Sequence, residues 1–550
     1  MAKQITFDKD LHDVILRAVT TVEKSVKATL GPAGRFVLLE QPYGGPKMTK
    51  DGVSVAKAIE LKDPIENAIA SFFKTAASHT VDQAGDGTST SIVLAASIFK
   101  SALKAVAVGA NAVHIKSGIE EAAKLAVESL NDLKVVITND FEKIKQVAVV
   151  SANGDSEVGS LITDAFKKVG ENGVINVEEG KTREHELKVV EGMQFDRGYI
   201  SPYFATNTEK MVCEMENPLI FIYDKKITSA QSVVPILKLA HESGRGLLII
   251  AEDIEGEAVS TMVLNKLRGV LQVVAVKAPG FGERRKEICQ DIGILTGATV
   301  ISEEIGYKIE NVAIEHMGRA RKIVITANET TIIEGAGEVS SVDSRVLQIK
   351  SQISNASSEY DKEKLQERLA KLTGGIAILK VGGATEEAAK ECKDRFDDAV
   401  QAVKAAIEEG IVPGGTVSLL YAKSKLEKAM EKLVADDKKI GYEAVLKSLE
   451  APLEAILENA GRKDAAVVFS EIRKAQANNN NSFGLDVRNN KFGNMIEMGV
   501  IDPVKVVRCA LENASSIASM LVVSNVAITN MPKDEKDMPG MPGGMPGMGY

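Results

Sequence analysis

Residues 219–224 read LIFIYD, and three similar runs follow: GLLIIAED (246–253), LQVVAVKAP (271–279) and ATVIS (298–302). Each run is short and almost continuously apolar, which is typical of strands buried on both faces of a parallel sheet. The intervening segments, SVVPILKLAHESG, EAVSTMVLNKLRG and RRKEICQDIGILTG, have the apolar spacing of helices. Alternating strands and helices predict parallel βαβ units, so we expect an α/β domain in the middle of the chain.

The regions on either side of this segment are predicted to be mostly helical. One face of a long N-terminal helix, expected to end at Gly31-Pro32, is apolar at Leu11, Val14, Ile15, Ala18, Val19, Val22 and Val26. Further helical patterns cover residues 90–108, 115–133, a hairpin at 338–373, and 385 to about 528. This order favours one discontinuous domain built from both chain ends, although three sequential domains would also fit it.

Composition excludes several classes of function. The 550 residues include 67 Lys and Arg against 76 Asp and Glu, so an acidic net charge of −9 argues against a duplex nucleic acid partner. Tryptophan is absent and the four cysteines are widely spaced, which gives no support to a base-stacking platform, a zinc site or a disulfide framework. No apolar run approaches the roughly 18–20 residues that span a bilayer, and the start lacks a secretory pattern. We therefore expect a cytoplasmic protein without membrane or nucleic acid partners.

The strongest candidate for chemistry is the stretch AGDGTST (84–90), which runs directly into a helical pattern. Glycines allow a backbone to approach a phosphate closely, and the N–H groups at a helix N-terminus attract anions. Asp86 would supply a carboxylate for Mg²⁺, which binds through few protein carboxylates together with phosphate oxygens. The alternative is a helix cap that binds no ligand.

Three more Gly-bearing loops lie in the helical regions: TLGP (29–32), TKDG (49–52) and PGGT (413–416). Lys50 could neutralise phosphate charge, and Asp51 could orient a water molecule or a magnesium shell. Each loop alone could equally be an ordinary turn. Together they suggest a phosphate cradle, but spacing does not establish that they converge.

Two helical patterns carry residues with more than one interpretation. Asp397 and Asp398 lie beside an apolar stripe and could form a solvated acidic flank, or one of them could activate the water that attacks a γ-phosphate. In the middle segment, residues 233–239 and 259–267 hold more apolar residues than one sheet-facing stripe needs. The surplus indicates either a groove for apolar segments of other chains or burial against another domain or subunit.

Several longer stretches resemble the group I chaperonins, the bacterial GroEL type. They include TLGPAGRFVLL (29–39), TKDGVSVAKAIEL (49–61), AGDGTST (84–90), VVEGMQFDRGYISPYF (189–204) and KAPGFGERRK (277–286). GNMIEMGVIDPVKVVR (493–508) and the Gly/Met-rich tail also match, and the resemblance is continuous from about residue 3 to 530.

The resemblance implies a multi-domain, ring-forming fold. It predicts an all-helical equatorial ATP-binding domain at 1–133 and 409–530, and a small α/β intermediate domain at 134–190 and 377–408. It also predicts an α/β apical domain at 191–376, which binds clients and the co-chaperonin, and a flexible tail at 531–550. The implied activity is ATP hydrolysis coupled to protein folding, with Mg²⁺ and K⁺. The implied partners are non-native polypeptides, a heptameric co-chaperonin of the GroES type, and further copies in two stacked seven-membered rings.

Site residues follow from the resemblance by matching position. The nucleotide contacts are Thr29, Leu30, Gly31, Pro32, Lys50, Gly87, Thr88, Ser89, Thr90, Ser151, Gly414, Gly415, Asp486 and Asp502. Asp86 matches the magnesium ligand, and Asp398 matches the carboxylate that supports hydrolysis, with Asp51 as a second catalytic candidate. The surface shared by clients and lid matches Tyr199, Ser201, Tyr203, Phe204, Val234, Leu237, Val259, Val263 and Leu264.

The chain departs from the family pattern at Thr416, where a Gly or Ala is usual, and at Gly484–Arg488, which reads GLDVR instead of Gly-Tyr-Asn-Ala-Ala. Asp486 can only accept hydrogen bonds where an Asn could also donate, so nucleotide affinity is expected to differ. The rival functions are an ATP-dependent phosphotransferase or ATPase without polypeptide clients, and a binding scaffold with a degenerate nucleotide site.

Overall fold

A computed structural model describes residues 3–530 except 41–45, 139, 171–172, 181, 209, 303–305, 308, 357 and 435. The predicted tail at 531–550 lies outside the described residues. The chain divides into two compact units, the described parts of residues 1–163 with 384–550 (unit 1) and of residues 164–383 (unit 2). The predicted division into equatorial, intermediate and apical parts stays a prediction.

The elements follow one another in three stretches of chain. The first stretch contains β1 (Lys3–Phe7), α1 (Asp8–Lys27), β2 (Val37–Leu39), β3 (Lys47–Thr49), α2 (Gly52–Ala58), α3 (Pro64–Ala84), α4 (Thr88–Val106), α5 (Ala112–Leu130), α6 (Phe141–Ser151) and α7 (Ser156–Val169). The second contains β4 (Val174–Glu179), β5 (Glu186–Val190), β6 (Gly192–Phe195), a 3₁₀ helix (Pro202–Phe204), β7 (Cys213–Glu216), β8 (Leu219–Ile227), α8 (Ala230–Ser243), β9 (Leu247–Ile254), α9 (Glu257–Leu267), β10 (Val273–Lys277), α10 (Gly282–Thr296), β11 (Val300–Ile301), β12 (Gly318–Ile325), β13 (Thr330–Gly335), α11 (Val339–Asn355), α12 (Glu359–Thr373) and β14 (Ile376–Val381). The third contains α13 (Glu386–Glu409), β15 (Ile411–Pro413), α14 (Val417–Met430), α15 (Asp437–Ser448), α16 (Ala451–Asn459), α17 (Ala465–Ala477), β16 (Phe483–Asp486), β17 (Lys491–Asn494), β18 (Ile501–Pro503), α18 (Val504–Val522) and β19 (Val526–Asn530).

Unit 1 is mainly a bundle of helices around one apolar core. Helix α1 buries the apolar stripe that the sequence predicts, and α4, α5, α15 and α18 pack closely with one another. The expectation of an all-helical region is wrong, because four two-stranded sheets accompany the helices: β1–β19, β2–β3, β15–β18 and β16–β17. The first of these pairs Lys3 with Asn530 and so joins the two ends of the described chain.

Unit 2 is a mixed α/β structure. Strands β8, β9 and β10 are parallel neighbours and β11 pairs in parallel with β8, which confirms the predicted βαβ units. The sheet continues into β12, β13 and β6, which are antiparallel. A separate sheet has the order β4-β14-β5, and α11 and α12 form the predicted hairpin.

Helix α4 is the one helix within the described residues that is long and apolar enough to cross a membrane. Its length and composition contradict the expectation that no apolar run approaches that size. In this fold 56% of its apolar window is buried, and the helix packs against α1, α15 and α18 in the core of unit 1. Burial among other helices accounts for its apolar composition.

Candidate functional site

The loop between α3 and α4 depends on two glycines with left-handed backbone conformations. Gly85 ends α3 at φ 74° and Gly87 precedes α4 at φ 91°. A Cβ at Gly85 would lie 2.2 Å from the Cβ of Gln401 on α13, and one at Gly87 would lie 2.8 Å from Val506 on α18. The glycines lead directly into α4, a 19-residue helix with no side-chain cap, and the N–H groups of its first turn have no partner within the helix. Such a turn is a favourable site for a phosphate.

Two of the other predicted loops meet the first turn of α4 at Ser89. The hydroxyl of Thr29 lies 3.1 Å from the hydroxyl of Ser89. A Cβ at Gly52 would lie 2.3 Å from the Ser89 Oγ, so only glycine allows that approach. The structure therefore brings together the loops 29–32, 49–52 and 87–90, a convergence that spacing alone does not establish.

The loop 29–32 is held by a residue that sequence reasoning missed. The Asn459 side chain, at the end of α16, donates from Nδ2 to the carbonyl oxygens of Lys27 and Leu30, both at 2.8 Å. Gly31 follows at φ 81°, with Ile456 filling the space that a Cβ would need. No motif around Asn459 signals this contact, because its partners lie more than 400 positions away in the sequence.

Asp51 is the N-cap of α2. Its carboxylate accepts hydrogen bonds from the backbone N–H of Val53 (3.0 Å) and Ser54 (2.9 Å) and from the Ser54 hydroxyl (2.6 Å). These bonds fix the carboxylate next to the loop glycine Gly52. The preceding Lys50 places its ammonium 4.9 Å from the centre of the Phe36 ring.

The fourth loop is tied to Asp502. Strands β15 and β18 pair Val412 with Asp502, and the Asp502 carboxylate accepts hydrogen bonds from the backbone N–H groups of Gly415 and Thr416. Thr416, where the family usually has a smaller residue, has a left-handed φ of 66°. A non-glycine residue in this conformation is strained.

Burial and mutual repulsion raise the pKa values of the acidic residues around these loops. The pKa of Asp398 is raised well above its usual range by burial and then by the negative charges of Asp51 and Asp86. Burial, followed by the charge of Asp86, raises the pKa of Asp502 to about 6. The pKa of Asp86 is raised by burial, although hydrogen bonds from the Gly87 N–H (2.5 Å) and the Ser151 hydroxyl (3.4 Å) oppose this shift. The carboxylates therefore lie close enough to repel one another, and a bound cation would relieve that repulsion.

As metal ligands, these carboxylates suit Mg²⁺ better than a metal whose ligands all come from the protein. Within the described ranges no three His, Cys, Asp or Glu side chains are grouped as metal ligands. Mg²⁺ does not need such a group, because one or two carboxylates together with phosphate oxygens and water commonly complete its shell. The Oδ2 atom of Asp86 accepts a hydrogen bond from the Ser151 hydroxyl at 3.4 Å. A carboxylate at this position is consistent with the predicted role of Asp86 as the magnesium ligand.

Asp398 lies on helix α13, close enough to Asp51 and Asp86 for their charges to interact. We call Asp51, Asp86 and Asp398 the carboxylate cluster. Thr385 caps the N-terminus of α13, and Phe396, Ala399 and Val403 bury the apolar face beside Asp398. The charge of Asp398 interacts with Asp51 and Asp86 on distant segments, so it belongs to the site and is not part of a solvated flank. This places both predicted catalytic residues, Asp51 and Asp398, in one electrostatic cluster.

Asp486 lies at the turn of the β16–β17 hairpin and is already engaged. Its Oδ1 accepts from the backbone N–H of Arg488 (2.9 Å) and Asn489 (3.2 Å), and its Oδ2 accepts from the Asn489 amide (2.6 Å). The carboxylate therefore stabilises the turn. Its predicted contact with a nucleotide stays a prediction.

Unit 2 exposes a second candidate site. We call the exposed side chains of Tyr203, Val234, Leu264 and Leu267 the apolar surface. They are 65%, 51%, 51% and 64% exposed. Tyr203 lies on the 3₁₀ helix, Val234 on α8, and Leu264 and Leu267 on α9, which packs against both other helices. Three of the four match the surface implied by the family resemblance, and Leu267 adds to it.

The other predicted surface residues are placed differently. Tyr199, Phe204 and Leu237 are buried, and their predicted role in binding clients and lid stays a prediction. Leu237 shares the inward face of α8 with Val233, Ile236 and Ala240, because that spacing points them to the sheet. Val259 and Val263 are partly buried against the same core, and the Ser201 hydroxyl accepts the Tyr203 N–H at 3.4 Å.

Comparison with known protein families gives one finding for this chain. Residues 22–531 match the model of the TCP-1/cpn60 chaperonin family. The match covers nearly the whole chain and therefore includes both the carboxylate cluster of unit 1 and the apolar surface of unit 2.

Proposed function

This chain belongs to the TCP-1/cpn60 chaperonin family, a family of protein-folding chaperones, and we propose that it is an ATP-hydrolysing chaperonin of the group I, bacterial GroEL type. In this proposal, apolar segments of non-native polypeptides bind the apolar surface and are then enclosed beneath a heptameric co-chaperonin lid. The observation that carries the proposal is the convergence of three loops at the N-terminus of α4, with the partly buried carboxylates Asp51, Asp86 and Asp398 beside them.

The binding step follows from the loops. The unpaired N–H groups at the start of α4 and the hydroxyls of Thr29 and Ser89 would donate to phosphate oxygens. Asp86 would hold Mg²⁺, which would supply positive charge against the phosphates when bound. The carboxylates of Asp51, Asp86 and Asp398 favour this arrangement, because a bound cation would relieve their mutual repulsion.

The hydrolytic step assigns Asp398 as the general base. Its raised pKa makes its carboxylate a stronger base than an exposed aspartate, and its charge interacts with those of Asp51 and Asp86 on the phosphate loops. It would orient the attacking water and accept its proton late in a loose transition state. Asp51, fixed by its cap hydrogen bonds, would orient the same water or the magnesium shell.

Ring assembly, the co-chaperonin, K⁺ and a cytoplasmic location belong to the same proposal. Their support is the resemblance of stretches such as VVEGMQFDRGYISPYF (189–204) to group I members, together with the family match. Native mass measurement tests the assembly, since seven or fourteen copies are expected and a monomer or small oligomer would contradict it.

Refolding of a chemically denatured client tests the function as a whole. We expect recovery of client activity that requires ATP and Mg²⁺ and increases when a heptameric co-chaperonin is added. Binding of denatured clients without any ATP hydrolysis would contradict the proposal and would favour a binding scaffold. Hydrolysis without client binding would favour the phosphotransferase or simple ATPase class.

A further inference from the structure

Lys266 lies within the apolar surface of unit 2 and contacts two of the elements that form it. Its ammonium, near the C-terminus of α9, donates to the carbonyl oxygens of Tyr203 (2.8 Å) and Ala205 (2.6 Å). These carbonyls belong to the 3₁₀ helix and to the residue that follows it. One side chain therefore joins the segment that presents Tyr203 to the helix that presents Leu264 and Leu267.

The charge of Lys266 has no acidic partner in the described part of the chain. The nearest titratable group is the buried thiol of Cys213, whose pKa is raised to about 11 by burial, so it stays neutral at physiological pH. Glu214, next to that thiol, pairs instead with Lys322 at 2.8 Å. The two backbone carbonyls are therefore the groups that receive the Lys266 ammonium.

The backbone around Tyr203 is otherwise held by its own 3₁₀ turn, with the Phe204 N–H donating to the Ser201 carbonyl (3.0 Å) and the Ala205 N–H to the Pro202 carbonyl (3.1 Å). The Tyr203 N–H donates to the Ser201 hydroxyl at a long 3.4 Å, within the same short segment, and the Tyr203 ring is mostly exposed. Phe204 anchors the segment to the core by its buried ring, and the bonds within the turn do not connect the carbonyls of Tyr203 and Ala205 to α9. The ammonium–carbonyl bonds, which are stronger than neutral hydrogen bonds, restrain that edge.

We propose that Lys266 is a positioning residue of the apolar surface, which sets the distance between Tyr203 on one side and Leu264 and Leu267 on the other. This inference rests on the proposed function, in that the surface is taken to bind apolar segments of non-native chains. The partner is an apolar polypeptide segment that contacts Tyr203 and α9 at the same time. A surface whose two sides are held at a fixed distance loses less conformational freedom on binding.

The test relies on the direction in which client affinity changes, because the two explanations predict opposite changes. Lys266→Met keeps the length of the side chain, removes both hydrogen bonds and adds apolar area to the surface. If Lys266 positions Tyr203, the variant should bind a denatured client roughly threefold or more weakly despite that added area, because several copies of the site act together on one client. Equal or tighter binding would overturn the proposal, since added apolar area alone favours binding.

Two further variants act as controls. Lys238→Met adds the same apolar area on α8, where the lysine is exposed and pairs with Glu242 at 3.8 Å, and it should leave client binding unchanged or slightly tighter. Lys266→Arg retains donors for the two carbonyls and should recover most of the binding. If Lys266→Arg and Lys266→Met bind equally weakly, hydrogen bonding to Tyr203 and Ala205 is not the cause and the proposal fails.

A client-free measurement separates this proposal from the proposed function. Because the chain has no tryptophan, Tyr203→Trp creates a single fluorescent reporter on the outer edge of the 3₁₀ helix. Adding Lys266→Met should lower the steady-state anisotropy of that reporter, whereas adding Lys238→Met should not. Unchanged anisotropy would overturn the positioning role, and it would do so whether or not the protein binds clients.

Discussion

The two candidate sites are built in opposite ways. The candidate nucleotide site of unit 1 combines residues from both ends of the chain, and its carboxylates are partly buried and repel one another. The apolar surface of unit 2 comes from one stretch, residues 203–267, and consists of uncharged side chains left exposed by helices whose other faces enter the core. Under the proposed function, the first site would act on a charged ligand and the second would make weak contacts with many apolar sequences.

The comparison predicts that the two sites fail independently. Substitutions in the carboxylate cluster should change hydrolysis and leave client capture intact, and substitutions in the apolar surface should do the reverse.

Asp398→Ala should have the largest effect. Loss of one general base typically lowers the rate by about 10²-fold or more, so single-turnover ATP cleavage should fall by that amount. Equilibrium nucleotide binding should persist, because the loops and Asp86 are unchanged. Glu387→Ala, at an exposed carboxylate in the first turn of α13, is the control and should cleave ATP at nearly the parental rate. Lost nucleotide binding in Asp398→Ala would mean that Asp398 supports the structure and not the chemistry.

Gly85→Ala should disturb the nucleotide site through the backbone. The new Cβ meets Gln401 at 2.2 Å in a left-handed conformation, so we expect unit 1 to lose about 2–4 kcal/mol of stability, with weakened nucleotide binding. Gly109→Ala is the control, because its φ of 101° is similarly strained but nothing lies within 4 Å of the new Cβ. Thermal unfolding of both variants checks this difference. Equal losses would show that strain, and not contact with α13, determines the effect.

Asp502 should give the metal-free protein a stability that depends on pH. Its pKa is raised from 3.8 to about 6, so the folded state binds the proton more tightly than the unfolded state. The contribution of protonated Asp502 to the free energy of unfolding is therefore fully present below about pH 4, and it is lost as the pH rises toward 6. Asp502→Asn should flatten this decline and raise the free energy of unfolding at pH 7 by roughly 1–2 kcal/mol, after allowance for solvent screening. Unfolding midpoints measured from pH 4 to pH 8 with a chelator and without nucleotide test the sign, and an unchanged slope in the variant would contradict it.

Leu264→Ser should have the smallest effect per copy. Leu264 is half exposed, so the change should remove on the order of 1 kcal/mol of apolar contact with a client while leaving the unit folded. Leu347→Ser, at an exposed leucine on α11 away from the surface, is the control and should capture a denatured client normally. Val263→Ser is a poorer probe, because Val263 packs partly against the core and its substitution would also destabilise the unit.

The sequence predicted local structure better than long-range structure. Continuous apolar runs correctly predicted the parallel strands β8 to β11, because burial on both faces is recorded in the run itself. The β1–β19 pair was missed, since its strands alternate between exposed and partly buried residues and their partners lie at opposite ends of the chain. The burial of Leu237 was predictable from its spacing with Val233 and Ile236, whereas the contact of Asn459 with the loop at Leu30 was not.

The central claim is that hydrolysis and capture reside in separate parts of this chaperonin-family protein. Its most direct test is a crossed measurement in which single-turnover ATP cleavage and capture of one denatured client are both recorded for Asp398→Ala and Leu264→Ser. We predict that Asp398→Ala loses about 10²-fold in cleavage with near-parental capture, and that Leu264→Ser loses capture with near-parental cleavage. If either variant loses both activities while it remains folded and assembled, the separation of the two sites is contradicted.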